Sequence, residues 1–187
     1  MRRIVVGITG SSGVIYGIRL LEVLRPVEGI ETHLVLSEAA RVTLAVETDR
    51  TVSEVEALAH RIHDVRDLAA PLASGSFRTA GMAIAPCSMK TLSAVAHSFG
   101  DNLIARAADV TLKEGRRLVL VPRETPLHRG HLQLLLRAAE LGATILPPVP
   151  AFYHRPKTLE EIVDHTVGKL LDALEVDHEL FQRWQGG

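Results

Sequence analysis

Ile4-Val5-Val6-Gly7-Ile8-Thr9-Gly10-Ser11-Ser12-Gly13 opens the chain with an apolar run that breaks into small, polar residues. The run is dense in β-branched side chains, which suit a pleated surface. It does not alternate with polar residues, so both faces of this strand are expected to be buried, as in a parallel sheet covered by helices. After Gly13 the residues Val14, Ile18, Leu21 and Leu24 recur at a helical period, and Pro26 ends that segment.

The same grammar repeats along the chain. Thr32-His33-Leu34-Val35-Leu36, Met82-Ala83-Ile84-Ala85, Leu118-Val119-Leu120-Val121 and Ala143-Thr144-Ile145-Leu146 read as four more strands. The second of these is weak, because alanine is a poor strand former. Helices are expected over 38–46, 53–62, 88–97 and 101–113, and around Leu132, Leu135, Leu136 and Ala139. Thr158 and Glu161 form a capping-box pair before a last helix carrying Ile162, Val163, Val167, Leu170, Leu171 and Leu174. Strand–helix alternation predicts an α/β fold with a doubly wound, mostly parallel sheet. With 187 residues and 47% apolar composition, one domain spanning 1–187 with a C-terminal helical arm is expected.

Composition excludes several functions. Lys plus Arg is 21 and Asp plus Glu 22, a net charge of −1, so the basic excess of a nucleic-acid binder is missing. Aromatics are 4%, too few for a stacking platform on single strands. Apolar runs are short and broken by Gly or Pro, so no membrane span is expected. Met1-Arg2-Arg3 followed by apolar residues imitates a signal peptide, but Gly10-Ser11-Ser12-Gly13 interrupts it. Cys87 is the single cysteine, which rules out an internal disulfide and favours a reducing, cytoplasmic setting.

In doubly wound folds, ligands lie beyond the carboxyl ends of the strands. Those ends lead into Gly10-Ser11-Ser12-Gly13, Ser37, Pro86-Cys87-Ser88-Met89-Lys90-Thr91, Pro122-Arg123-Glu124 and Pro147-Pro148-Val149-Pro150-Ala151-Phe152-Tyr153. Small residues at a strand–helix turn let backbone N–H groups approach an anion. Ser88 and Thr91 at a helix start, with Lys90 between, offer a second phosphate cradle; an ordinary tight turn and an ordinary capped helix are the plainer readings of the two loops. The nearest acid at the second edge is Glu38, and Ser37 reads as the N-cap before it. That favours a mononucleotide over a dinucleotide, which wants an acid on its ribose. His60 with His63, and His128 with His131, sit at i,i+3 on expected helices but lack a third ligand, so they read as surface histidines. Cys87, after a buried strand, reads as a small buried hydrophobe.

Gly10-Ser11-Ser12-Gly13-Val14-Ile15-Tyr16-Gly17, Ala45-Val46-Glu47-Thr48-Asp49, Ala73-Ser74-Gly75-Ser76, Pro86-Cys87-Ser88, Arg106-Ala107-Ala108-Asp109-Val110, Leu112-Lys113-Glu114 and Leu120-Val121-Pro122-Arg123-Glu124 together resemble the flavin prenyltransferase (UbiX-type) family. Ala151-Phe152-Tyr153 fits as well, and the resemblance runs over nearly the whole chain in order. Gly75-Ser76-Phe77-Arg78-Thr79 and Cys87-Ser88-Met89-Lys90-Thr91 look closest to the branch that accompanies phenolic-acid decarboxylases. The resemblance implies a Rossmann-like flavoprotein that binds reduced FMN. It implies transfer of a dimethylallyl group from dimethylallyl phosphate to flavin N5, with ring closure onto C6, without a metal. The prenylated FMN serves a UbiD-type decarboxylase, and the assembly is a homododecamer.

Carried over position by position, the resemblance makes Gly10, Ser11, Ser12, Ser37, Ser88, Met89, Lys90, Thr91 and Arg123 the FMN contacts. Ser12 and Glu47 become the pair near N5, able to relay a proton. Arg106, Lys113 and Tyr153 hold dimethylallyl phosphate, Lys169 stands where the family often has a phosphate-binding Arg, and Glu124 protonates the leaving group. Residues 106–129 carry six basic side chains against three acids, of which Arg116 and Arg117 read as a solvated turn. Leu68 stands where the family often has an aromatic ring, Lys90 where many relatives have glycine, and Lys169 keeps the charge of Arg but not its bidentate fork. Trp184 matches the family's C-terminal tryptophan. Two other readings use the same fold. A flavin-dependent cysteinyl decarboxylase would carry Pro-Ala-Ser-Ala-Asn-Thr at the third edge, and the asparagine is missing from Pro86–Thr91. A non-catalytic FMN carrier would not need Lys113, Arg123 and Glu124.

Overall fold

Along the first strand, Ile4, Val6 and Ile8 pack into one hydrophobic layer and Val5 into another, so both faces are covered, as the unbroken apolar run requires. In the computed structural model, which describes residues 1–183, this strand is β1 (Arg2–Ile8). With β2 (Ile30–Leu36), β3 (Arg61–His63), β4 (Gly81–Cys87), β5 (Arg117–Pro122) and β6 (Thr144–Ile145) it forms one sheet in the order β3-β2-β1-β4-β5-β6. Every pairing is parallel. The helices are α1 (Val14–Leu24), α2 (Glu38–Glu47), α3 (Val52–Glu56), α4 (Met89–Ala96), α5 (Leu103–Lys113), α6 (Arg129–Glu140) and α7 (Leu159–Ala173).

The two faces have different covers. Leu20, Leu21 and Leu24 of α1, Ala40 and Leu44 of α2, and Val167, Leu170 and Leu171 of α7 pack with Ile4, Val6, Ile8 and Val119. Leu92 and Val95 of α4, Leu103, Ile104 and Ala107 of α5, and Ala138 of α6 pack with Val5, Met82, Ile84 and Leu120 on the other face. Thus α5 and α7 lie in opposite layers.

Three sequence expectations change. The sheet has six strands rather than five, and the helix expected over 53–62 is only α3, followed by β3. A full capping box at Thr51 and Glu54 starts α3. Further on, the His60 N–H donates to Thr32 Oγ1 at 3.1 Å, and the Thr32 N–H donates to His60 Nδ1 at 3.1 Å. These two bonds draw the chain alongside β2, where Arg61–His63 pairs with His33–Val35. At the start of α7, Thr158 accepts from the Glu161 N–H as expected, but the Glu161 carboxylate accepts from the Lys157 N–H rather than that of Thr158.

Candidate active site

Sheet order reverses direction between β1 and β4, and the crevice beyond their carboxyl ends is where such folds bind ligands. Thr9 closes the floor of that crevice. Its hydroxyl donates to Pro86 O at 2.8 Å and accepts from the Ser88 N–H at 2.8 Å, joining the first loop to the third. Gly10 presses on α2 so closely that a Cβ there would lie 2.3 Å from that of Ala39. Gly13 takes φ +101° at the start of α1, a conformation that L side chains rarely adopt, and offers no side-chain cap.

Glu47, the last residue of α2, supplies the missing cap. Its Oε2 accepts from the Gly13 N–H at 2.8 Å and from the Val14 N–H at 3.2 Å. Burial pushes this carboxyl up. The Ser12 hydroxyl, the two backbone N–H groups and the Arg123 guanidinium outweigh that and hold it below the usual carboxylate range. Arg123 Nε donates to Ser12 O at 3.3 Å. Ser12, Tyr16, Glu47 and Arg123 all line a cavity of about 980 Å³. The Ser11 Oγ is buried without a hydrogen-bond partner.

At the second edge, Ser37 caps α2, accepting from the Ala40 N–H at 3.0 Å. At the third, Ser88 caps α4, accepting from the Thr91 N–H at 3.3 Å and donating to Thr91 Oγ1 at 3.1 Å. Met89 is half-buried on the first turn, whereas Lys90 is exposed and lines a separate hollow with Ser93, His97 and Phe99. Cys87 is fully buried, and burial pushes its thiol up to about 12, which bears out its reading as a buried hydrophobe.

The residues expected on dimethylallyl phosphate fall into separate groups within one chain. Arg106, on α5, donates to Ala73 O at 3.1 Å and pairs with Asp109 at 2.9 Å. Lys113, at the end of α5, pairs with Glu114 beside Gly75. Tyr153 lies in the loop before α7 and bonds His165 Nε2 at 2.9 Å. Lys169 is on α7, 3.6 Å from Asp172. Glu124 is exposed, its Oε1 accepting from the Thr125 N–H at 3.0 Å. Ser12, Glu47 and Arg123 therefore converge, Tyr153 is bonded to His165 of the helix α7 that carries Lys169, and Arg106 and Lys113 stand on α5 in the opposite layer.

Several other assignments are corrected by the geometry. Arg116 does not sit on a solvated turn; it donates to Gly75 O at 2.7 Å and Phe77 O at 3.0 Å and fixes the segment before β4. Arg117 begins β5 and pairs with Glu175. His60 and His63 are not on a helix: His63 Nε2 shares a hydrogen bond with His33 Nδ1 at 2.9 Å. His128 caps α6, accepting from the Gly130 N–H at 3.0 Å. Leu68 is half-exposed. Trp184 lies outside the described residues. Thr9 and His165 were missed; the available signals were a threonine immediately after a buried strand and a histidine inside the apolar run of α7.

A parallel sheet of this order, with polar loops gathered at its point of reversal, defines a Rossmann-like nucleotide-binding protein. The family model described as Flavoprotein matches residues 1–182. Flavin prenyltransferase UbiX of Escherichia coli (strain K12) is 60% identical over 188 residues, covering 100% of both chains. The crystal structure of AnUbiX (PadA1) in complex with FMN and dimethylallyl pyrophosphate superposes with a TM-score of 0.97 at 51% identity, covering 100% of this chain and 98% of that one. A dodecameric FMN-dependent UbiX-like decarboxylase from Escherichia coli O157:H7 has a TM-score of 0.96 at 47% identity, covering 98% of this chain and 100% of that one. The chain belongs to the UbiX-type flavin prenyltransferase family.

Proposed function

We propose that this chain is an enzyme that transfers the dimethylallyl group of dimethylallyl phosphate to N5 of reduced FMN, closes a ring onto C6, and makes prenylated FMN for a UbiD-type decarboxylase. The observation that carries this reading is the convergence of Ser12, Glu47 and Arg123 on one cavity in a chain 60% identical to a flavin prenyltransferase over its whole length. The first loop fits a bound FMN: the unpartnered, buried Ser11 Oγ needs a hydrogen-bond partner, and Gly10 lets the loop pack tightly against α2 beside it. Gly10, Ser11, Ser12, Ser37, Ser88, Met89, Lys90, Thr91 and Arg123 would hold it. Reduced FMN supplies the nucleophilic N5 and the electron-rich C6.

The side chains divide the remaining work. Glu47 Oε2, kept as a carboxylate by its N–H partners, accepts a proton through the Ser12 hydroxyl. Arg123 places positive charge against the same cavity. Arg106, Lys113 and Lys169 neutralise the departing phosphate, Tyr153 donates a hydrogen bond to it, and Glu124 protonates it. The side chains supply this charge without a metal. That α5 and α7 cover opposite faces of the sheet supports a phosphate site completed by a neighbouring copy. That supports a homo-oligomer, a dodecamer like the decarboxylase-named relative. Among the described residues no helix is long and apolar enough to cross a membrane. The single buried Cys87 supports a cytoplasmic enzyme, a single-domain one over 1–187.

Anaerobic incubation with reduced FMN and dimethylallyl phosphate, followed by a mass spectrum of the extracted flavin, tests the reading. A flavin heavier by one prenyl unit is expected. Flavin of unchanged mass would overturn it.

A further inference from the structure

Tyr153 belongs to a stretch without regular structure between β6 and α7, and its side chain is 55% exposed. An exposed ring on such a loop needs a tether if its hydroxyl is to serve a fixed place. His165 provides one. Its side chain is buried on the second turn of α7, and its Nε2 lies 2.9 Å from the Tyr153 hydroxyl. His165 is itself clamped. His154 stacks on it with centroids 4.8 Å apart and planes 7° from parallel, and Phe181 lies against it at 4.7 Å. Lys169 follows His165 by four residues, one turn along the same helix face. The tether therefore ties Tyr153 to the helix that carries Lys169 one turn further on.

We propose that His165 is a positioning residue for the substrate's phosphate, its Nε2–H donating to the Tyr153 oxygen so that the phenol is aimed as a hydrogen-bond donor toward the anion beside Lys169. This deepens the prenyl-transfer reading and rests on it for the identity of the anion. The direction of the bond follows from the chemistry. If Tyr153 donated to His165, it would present only lone pairs to a phosphate, which repels them. With Nε2–H as the donor, the phenolic proton stays out of this bond. Burial, together with the nearby His154 and Lys169, keeps His165 below the usual histidine range, so a neutral imidazole with one N–H is the working form.

His165→Phe keeps a ring between His154 and Phe181 but removes the donor; His165→Gln restores an N–H donor. Both are made in the full chain. The chain has two tyrosines, Tyr16 and Tyr153, so ring-labelled tyrosine gives two NMR signals. In both variants the Tyr153 signal is expected to move, because its ring lies 5.7 Å from that of His165, while that of Tyr16 stays. The KM for dimethylallyl phosphate is expected to rise about three- to tenfold in His165→Phe, with a smaller fall in kcat and recovery in His165→Gln, the size set by one neutral hydrogen bond. An unmoved Tyr153 signal, or a KM equal to wild type in His165→Phe, overturns the proposal. If His165→Phe disturbs Tyr16 as well, His165→Gln decides alone: a KM for dimethylallyl phosphate that stays raised there refutes the donor role. Wild-type protein that makes no prenylated flavin sinks the prenyl-transfer reading instead, and the tyrosine signals still report on the tether.

Discussion

Glu47 carries two duties in one carboxylate. It caps α1 from the end of α2, and it faces the cavity beside Ser12. Its folded pKa lies below the unfolded value of about 4.3. The cap therefore stabilises the fold fully above that value, and the contribution fades as pH falls through the lowered folded value. Glu47→Gln is expected to lower stability by about 0.5–1 kcal/mol at neutral pH, since the group is solvent-screened at a helix N-terminus. Urea midpoints at neutral pH and near about pH 3 check this; the gap from wild type should narrow at acid pH. Glu124 makes a cleaner chemical test, because its hydrogen bond to the Thr125 N–H is local. Glu124→Gln can donate a hydrogen bond but cannot transfer a proton. It is expected to bind FMN and dimethylallyl phosphate yet form product at least about tenfold slower, about 1.4 kcal/mol of barrier. Rapid-mix single-turnover absorbance reads that rate, and a wild-type rate would make Glu124 structural. Ser12→Ala should leave FMN binding intact and slow the same turnover.

Among the elements, those with a strong local signal are legible in the sequence. The run from Ile4 to Gly13 announces β1, its loop and the start of α1, and Ser37 is the cap its position suggests. β3 was hidden because its three residues follow a capped helical turn, and only the His60–Thr32 exchange places them in the sheet. Glu47 was identified through the family resemblance alone, since its approach to Gly13 spans 34 residues. Arg116 was unreadable for the same reason: its partners lie about forty residues upstream, at Gly75 and Phe77. Arg116→Ala should free both carbonyls and cost about 1–3 kcal/mol, as expected when hydrogen bonds to a charged group are lost. Hydrogen exchange should then quicken over 75–79 with β1 protected as before; unchanged exchange there would deny the clamp.

At the scale of the whole molecule, the sheet separates two helical layers, and each carries some of the residues proposed to hold the substrate. One layer also shows an apolar stripe: Leu132 and Leu136, one turn apart on α6, are 54% and 60% exposed. A second copy covering that stripe suits the dodecameric relative. Leu132→Glu with Leu136→Glu should shift sedimentation toward smaller species without changing the far-UV spectrum, and an unaltered sedimentation profile would place the contact elsewhere. The burial of Cys87 has a practical consequence of another kind. Its carbonyl accepts the Arg123 N–H at the root of the cavity, while its thiol is sealed and held near pKa 12. A neutral alkylating reagent can reach that sulfur only when β4 and the neighbouring loops come apart. The chain thus contains its own stopwatch for breathing at the heart of the site: added FMN should slow the alkylation in proportion to its occupancy, without a dye, a tag or an engineered residue.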